Sequence, residues 1–405
     1  MQKWRLSRLI GTGFISACSG LEITNIGVFT YIGSVYGFNL FWSILLSATI
    51  LAFFQQLAYI VGSELNGLEA IKNRRKLYAL FTGGLFLANI ATMTANIVGF
   101  SVIVSDLLGV SYVYVAILLG IAAYSIVAGA KGIDEIERVL SILTLFLATY
   151  IYLAITYIMH YPEVLLELLR GTFYVDPTML TRAGLDIIAV FGAAAAPYAL
   201  VMEMLSNSKD KVNYTEEFAS IGMGLFFTSL AGLSIGFLSA ITLHSKGIVA
   251  TNPRDLVAVL GTLGPLAKPL FVLGVFASSL LAIITIMIVN AYVVYEYRRR
   301  RDWPRGLDPV IHSPISREVN LQALLASLIG VGVLLYFIGT DVNWFVESIK
   351  LLSVIISLTG WTPLLLIVYF YRYTSLRDNV VEIIAYALLT IVIGVNIIGF
   401  ILDII

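Results

Sequence analysis

The chain has 405 residues, of which 59% are hydrophobic and 12% charged, and its formal net charge is zero. Soluble domains carry about 25% charged residues, so this composition excludes an ordinary soluble protein. A neutral chain also lacks the basic surface that binds nucleic acid, so no nucleic-acid partner is expected. Continuous apolar runs of about 18 residues or more recur from end to end, which predicts membrane-spanning helices and excludes the alternating strands of a membrane barrel.

In chain order these runs predict an all-α integral membrane protein with eleven spans, called span one to span eleven. A short interfacial helix is predicted at 164–169 and a charged turn at 132–138. The segment 244–266 predicts a surface loop with a short helix after Asn252-Pro253. The approximate limits of the spans are 8–35, 39–64, 78–105, 110–129, 139–159, 183–205, 215–243, 267–296, 320–339, 344–371 and 379–403.

The basic residues test this count of spans. With a cytoplasmic N-terminus, 19 of the 25 lysines and arginines fall on the inner side, 5 fall outside, and Lys350 lies within span ten. This bias follows the positive-inside rule and predicts a cytoplasmic N-terminus and an outer C-terminus. We expect a multi-pass monomer in the lipid bilayer of the plasma membrane.

Cysteine and histidine usage limits the chemistry. Cys18 is the only cysteine, which excludes an internal disulfide and a thiolate metal cluster. The three histidines, His160, His244 and His312, each fall in a predicted loop, which argues against an imidazole cage for a soft or borderline metal. The first apolar segment is interpreted as span one rather than as a cleavable signal. No resident cofactor is expected.

Span one is interrupted at residues 19–27, where Glu22 lies in the middle of an apolar run. A carboxylate inside a membrane span is costly and usually faces the bundle interior or a water-filled cavity, where it has a function. Glycines and the Thr24-Asn25 pair weaken the helix at the same place. A broken helix here predicts a cation site; the alternative is an inert glutamate that only packs against a neighbouring helix.

Span six has a second interruption, Gly192 to Pro197. Pro197 lacks an N–H and frees carbonyls near Ala193; alone, it is compatible with an ordinary kink. Paired breaks five spans apart favour a secondary transporter built from inverted repeats, with its site at the midplane. We predict one polytopic domain over 1–405, with repeat one at about 8–159, repeat two at about 183–371 and an extra helix at about 379–403.

The segments Glu22 to Asn25 and Ala196 to Tyr198, at the two breaks, resemble the corresponding segments of the NRAMP family of divalent-metal transporters. The family signature Asp-Pro-Gly-Asn falls on Glu22-Ile23-Thr24-Asn25, and its Met-Pro-His falls on Ala196-Pro197-Tyr198. The resemblance covers most of the chain and implies a LeuT-like fold with broken helices one and six plus an eleventh helix. It is also carried by the run Gly11 to Gln56, with its connection Tyr36-Gly37-Phe38-Asn39-Leu40-Phe41-Trp42, and by Lys131 to Glu137, Phe276 to Ser279 and Ser357 to Gly360.

The resemblance implies a site for a transported divalent metal ion. Ala196 stands where the family has its thioether, and this departure is similar to the NRAMP-related magnesium-transporter branch. Oxygen ligands without sulfur suit hard ions, so Mg²⁺ or Mn²⁺ is the expected cargo. The implied ligands are the side chains of Glu22, Asn25 and Thr359 and the carbonyls of Ser19 and Ala193; the lining residues are Ala196, Pro197 and Tyr198.

Proton coupling is expected to be absent. The family's span-three acids fall on Met93 and Asn96, which do not titrate, and its span-six histidines fall on Tyr198 and Glu203. The implied reading is passive transport down the membrane potential. Glu203 and Asn96 stay candidates for a proton-carrying or supporting role, and for Glu203 the alternative is a position near the inner end of its span.

Three alternative functions fit the sequence less well. The first is a transporter of an organic cation or other small organic solute, with Phe29, Tyr31 and Tyr198 as candidates for cation–π contact. A membrane enzyme is disfavoured because the sequence offers no nucleophile–base pair and no soluble domain, and a channel is disfavoured by the paired breaks. Two further charges have structural interpretations: Asp186 caps span six or lines an outer vestibule, and Lys350 pairs with Glu347 or extends toward the interface.

Overall fold

The computed structural model describes residues 12–65, 74–205, 214–252, 255, 267–299, 307–341 and 343–404. Ten helices in these ranges are long and apolar enough to cross a membrane. Span one is not among them because it consists of two shorter helices, Thr12–Ser19 and Ile23–Tyr36. With span one included, the bundle has the eleven spans that the sequence predicts.

Three spans are built from two helices each and the rest from one. Span five comprises Ile133–Phe146 and Ala148–His160, and span six comprises Gly184–Ala195 and Pro197–Leu205. The single-helix spans are Phe41–Leu65 (two), Arg75–Leu108 (three), Tyr112–Gly129 (four), Tyr214–Thr242 (seven), Ala267–Arg298 (eight), Pro314–Thr340 (nine), Trp344–Tyr371 (ten) and Asn379–Ile404 (eleven).

Short helices connect some of the spans. A helix is present where the sequence predicts an interfacial one, and it is longer than expected, Val164–Phe173. It is followed by Pro177–Arg182, and a 3₁₀ turn, His244–Lys246, closes span seven. Another short helix, Leu307–Ile311, precedes span nine. The helix predicted after Asn252-Pro253 lies outside the described residues, apart from position 255.

Two local predictions were wrong. The charged segment 132–138 is not a turn, because span five is helical from Ile133 onward. Acidic residues early in a helix stabilise it through the helix dipole, and Glu135 also accepts a hydrogen bond from the Lys131 N–H at 2.8 Å. His160 is the exposed last residue of the helix Ala148–His160 rather than part of the following loop.

The spans divide into an interior and an outer layer. Spans three, six and eight are mostly buried within the protein, whereas spans four, nine and eleven are mostly exposed on its surface. Span seven packs along both halves of span one, and span three packs along span ten. Small residues allow close approach of helices in a bilayer: a side chain at Gly33 would collide with the Gly236 carbonyl, and one at Gly192 with the Ser353 carbonyl.

Candidate cation site at the two helix breaks

The breaks in span one and span six meet in the centre of the bundle. The first helix of span one ends at Ser19 and the second begins at Ile23, which leaves Gly20, Leu21 and Glu22 outside helical geometry. A Cβ atom at Gly20 would lie 3.3 Å from the Cβ of Ala196, the residue at which span six breaks. Glycine at position 20 therefore lets the two breaks approach each other.

The break in span six depends on Ala196 and Pro197. Ala196 adopts a left-handed conformation, with φ of 33° and ψ of 65°, which an L-residue with a side chain adopts only at a cost. Pro197 has no N–H, so the Ala193 carbonyl, four residues earlier, loses its helical donor. The break therefore offers backbone oxygen rather than polar side chains.

Glu22 occupies the N-cap position of the helix Ile23–Tyr36 and is only 1% exposed. Its Oε1 accepts a hydrogen bond from the Thr24 hydroxyl at 2.9 Å, and its Oε2 accepts one from the Asn96 amide at 2.7 Å. Hydrogen bonds and the positive end of a helix stabilise a buried negative charge. A carboxylate has about four lone-pair positions, so lone pairs remain for a cation.

Tyr198 joins the two breaks directly. Its hydroxyl donates to the Ser19 carbonyl and lies 3.3 Å from Oε2 of Glu22. The ring is completely buried. The structure thus brings together the predicted residues Glu22, Ser19 and Tyr198.

Asn25 contacts Glu22 through the backbone. Its Oδ1 accepts a hydrogen bond from the Glu22 N–H at 3.0 Å. Its side chain also lines a cavity of about 20 Å³ between the breaks and spans two and seven, together with Gly20, Ala194 and Thr228. This volume suits one water-sized particle. In this conformation the Asn25 amide oxygen faces the Glu22 backbone N–H. The Glu22 carboxylate faces Thr24, Asn96 and Tyr198 instead.

Asn96 and Thr24 have a larger part in the site than the sequence indicates. Asn96 donates to Glu22, and its Oδ1 accepts from the Ile23 N–H at 3.3 Å, so one side chain of span three holds both the carboxylate and the start of the helix. Thr24 was not predicted to contact Glu22. A hydroxyl two residues after an N-cap position is a signal from which this bond could have been inferred.

The remaining predicted residues lie near the breaks. Thr359 precedes Gly360, at which a Cβ would lie 2.6 Å from Cγ of Pro197, so it is level with the break in span six. Its hydroxyl donates to the Ile355 carbonyl of its own helix at 2.7 Å. Ala193 is fully buried one turn before the break. Glu203 is also fully buried, about 8 Å along the helix from Tyr198.

A second and much larger cavity lies at the end of the bundle that the basic residues predict to be the outer face. Its volume is about 820 Å³, and its walls come from the loop between spans one and two, the segment 164–176 and the end of span seven. It contains Glu167, Arg170 and Asp176 but none of the residues at the breaks. Within the described part of the chain, no three histidine, cysteine, aspartate or glutamate side chains gather into a metal-binding group.

A multi-pass helical bundle whose first and sixth spans are broken, and whose breaks meet at a buried carboxylate, defines a transporter with the LeuT-like fold. Solved structures support this fold. The manganese transporter of Eremococcus coleocola in complex with an aromatic bis-isothiourea compound superposes with a TM-score of 0.65 at 14% identity, covering 97% of this chain and 94% of that one. MhsT in complex with L-phenylalanine superposes with a TM-score of 0.63 at 18% identity, covering 96% and 98%.

The family described as Nramp, natural resistance-associated macrophage protein-like, matches residues 13–402. The chain belongs to this family. It is therefore a multi-pass membrane transporter of the divalent-metal class and not an enzyme. A comparison with curated protein sequences finds no match.

Proposed function

We propose that this protein transports a hard divalent cation, Mg²⁺ or Mn²⁺, by alternating access and without proton coupling. The cation would bind Glu22, aided by Asn25 and Thr359 and by the carbonyls of Ser19 and Ala193. The observation that carries the proposal is the buried Glu22 carboxylate at the point where the two helix breaks meet. A charge in that position is costly unless a cation or strong donors compensate it.

The identity of residue 196 supports a hard ion. Ala196 supplies no sulfur and faces Gly20 across the two breaks. Carboxylate, amide and carbonyl oxygens are the ligands that Mg²⁺ and Mn²⁺ prefer, and a thioether would favour softer metals. The cavity beside Asn25 has room for one water-sized particle. A Mg²⁺ ion that keeps several waters would therefore enter only after spans one and six have separated.

The environment of Glu22 supports transport without protons. Its hydrogen-bond partners are a threonine, an asparagine and a tyrosine, and the neighbouring span-three position, Met93, has no titratable group. Glu203 is the remaining candidate for a proton carrier in span six. We place the protein in the plasma membrane as a monomer, with a cytoplasmic N-terminus and an outer C-terminus, on the basis of the inner bias of its basic residues.

Two observations disfavour an organic cation as cargo. The face of the Tyr31 ring is covered by the Lys350 ammonium, 3.9 Å from the ring centroid. The cavity that Phe29 lines measures about 20 Å³, which is far smaller than the 300 Å³ or more of typical small-molecule sites.

The first test is isothermal titration of the purified protein with Mg²⁺, Mn²⁺ and Cd²⁺, with Glu22→Gln as the control. We expect Mg²⁺ or Mn²⁺ to bind, and we expect the affinity to fall at least about 100-fold in the variant, because the substitution removes the only carboxylate that the described residues place at the breaks. If the variant bound the ions as tightly as the wild-type protein does, Glu22 would not be a ligand of the cation. No binding of any of the three ions would favour an organic substrate.

Two transport assays in liposomes sharpen the proposal. A pH-sensitive dye inside the vesicles should report no proton movement during Mn²⁺ uptake; a proton flux that follows uptake would contradict the uncoupled mechanism. Ala196→Met should shift the preference toward Cd²⁺, because a thioether binds soft metals better. Unchanged selectivity would show that residue 196 does not face the ion.

A further inference from the structure

A cluster of charged and aromatic residues lies between the outer face and the helix breaks. This outer cluster consists of Asp186 in span six, Lys350 and Glu347 in span ten, and Tyr31 and Tyr36 in span one. The Lys350 ammonium lies 2.7 Å from Asp186 Oδ1 and 3.4 Å from Glu347 Oε1, and it covers the Tyr31 ring. Tyr36 donates a hydrogen bond to the other Asp186 oxygen at 2.7 Å.

The cluster connects the three helices that lead to the candidate cation site. Tyr31 is nine residues beyond Glu22, or about 14 Å along its helix. Asp186 precedes Pro197 by about 16 Å, and Lys350 precedes Gly360, which packs on Pro197, by about 15 Å. Three independent helices therefore place the cluster at the same height, on the outer side of both breaks.

The ion pair is shielded from solvent. The side chains of Lys350 and Asp186 are 14% and 11% exposed, whereas Glu347 is 51% exposed. Burial of an ion pair costs desolvation, and here the hydrogen bond from Tyr36 and the cation–π contact with Tyr31 offset part of that cost. Breaking such a pair from one side leaves an uncompensated charge.

The outer cavity extends to this cluster. Tyr36 lines the 820 Å³ cavity and also contacts Asp186. The same cavity carries Glu167 and Asp176, whose carboxylates attract cations, as well as Arg170. A cation that has entered the cavity therefore meets Tyr36 and, behind it, Asp186.

We propose that Asp186 is an outer cation-binding residue that Lys350 occupies in this conformation, so that the Asp186–Lys350 pair closes the outer path and an incoming divalent cation opens it by displacing the ammonium. Lys350 acts as a tethered cation. Its release frees Asp186 for the metal ion and lets the first half of span six move away from span ten. The proposal does not depend on Glu22 as the metal ligand.

A cysteine below the cluster would report opening. Ser353 is fully buried, lies one turn below Lys350 and contacts Gly192 of span six through its carbonyl. The test uses Ser353→Cys in a Cys18→Ser background, reconstituted in liposomes and labelled from outside with membrane-impermeant methanethiosulfonate reagents, one cationic and one anionic. Two reagents are needed because removing Lys350 also changes the local charge.

We expect Lys350→Met and Asp186→Asn each to raise the labelling rate at least about tenfold with both reagents. The double variant should label no faster than the faster single variant, since both changes break one contact. Lys350→Arg should keep slow labelling, because arginine can also pair with Asp186. Unchanged labelling in both single variants, or faster labelling with the cationic reagent alone, would overturn the closing role.

External Mn²⁺ tests displacement separately. In the Glu22→Gln background, Mn²⁺ should still speed labelling, and adding Asp186→Asn should abolish that effect. If Mn²⁺ no longer speeds labelling in the Glu22→Gln variant, in which Asp186 is unchanged, Asp186 does not accept the ion. That result would overturn this part of the proposal. Titration calorimetry tests Glu22, and labelling tests Asp186. A failure of the proposed function can therefore be told apart from a failure of this proposal. Size-exclusion profiles of each variant check folding.

Discussion

Span one breaks at Gly20 to Glu22 and span six breaks at Ala196, and the two breaks differ in the groups that they present. The break in span one carries a carboxylate with hydrogen-bond donors around it. The break in span six carries only alanines and a proline, so its contribution is backbone geometry: a left-handed residue and a carbonyl without its helical donor. The break in span one contributes a charged side chain, and the break in span six contributes a backbone carbonyl oxygen.

This difference separates the effects of substitutions. Changes in span one should alter binding with little change in the helix, because the carboxylate and its donors are side chains. Changes in span six should act through helix geometry and stability, and they should slow transport when they remove the break itself. Four predictions test this distinction, in addition to Glu22→Gln.

The largest effect is expected for Pro197→Ala. An N–H at position 197 can bond the Ala193 carbonyl and favour a continuous helix through the break, which the proline now prevents. We expect higher thermal stability and at least about tenfold slower Mn²⁺ uptake. The matched control is Pro363→Ala, since Pro363 is buried within the unbroken helix of span ten. Equal loss of uptake in both variants would contradict a specific role for the break.

The next largest effect is expected for Asn96→Ala. It removes the donor to Glu22 Oε2 and the acceptor of the Ile23 N–H. Hydrogen bonds to charged groups contribute about 1.5–3 kcal/mol, so the Kd for Mn²⁺ should rise roughly tenfold in titration calorimetry. Asn89→Ala is the control, because Asn89 is equally buried in the same helix and bonds Asn290 instead. A similar rise of the Kd in both variants would show that loss of a buried asparagine in span three, rather than loss of the bond to Glu22, weakens binding.

Ala196→Gly should stabilise the protein. Glycine adopts the left-handed region without the penalty of about 1 kcal/mol that alanine incurs. The melting temperature should rise by about 2 °C, with uptake within about twofold of wild type. Ala194→Gly, inside the preceding helix, should instead lower stability by about 1 kcal/mol. A lower melting temperature for Ala196→Gly would show that the alanine side chain, rather than its backbone, matters.

The smallest effect is expected for Thr24→Val. The variant keeps the shape and loses one hydrogen bond to Glu22 Oε1, whereas Asn96→Ala loses two hydrogen bonds, so Mn²⁺ binding should weaken by only about threefold. Thr30→Val, in the same helix and also buried, should leave the affinity unchanged. If Thr24→Val weakened Mn²⁺ binding more than Asn96→Ala does, Thr24 rather than Asn96 would be the more important donor to Glu22.

Sequence alone established much of the fold. Apolar runs of bilayer length show the spans, and Pro197 and the charged break at Glu22 show where spans six and one are interrupted, because length, charge and a missing N–H are local properties. The division into repeats at the predicted limits, and the orientation, stay predictions. The turn at 132–138 was wrong because acidic residues also suit a helix start.

Only the tertiary structure decided which groups pair. Lys350 contacts Glu347, as one sequence interpretation holds, but it also bonds Asp186 in a distant span. Asn96 reaches Glu22, and Tyr198 reaches Ser19, across different helices. These contacts depend on how each helix is rotated and how closely the helices pack, which glycines at the interfaces permit. The sequence determines which polar residues lie in the membrane; helix packing determines which of them meet.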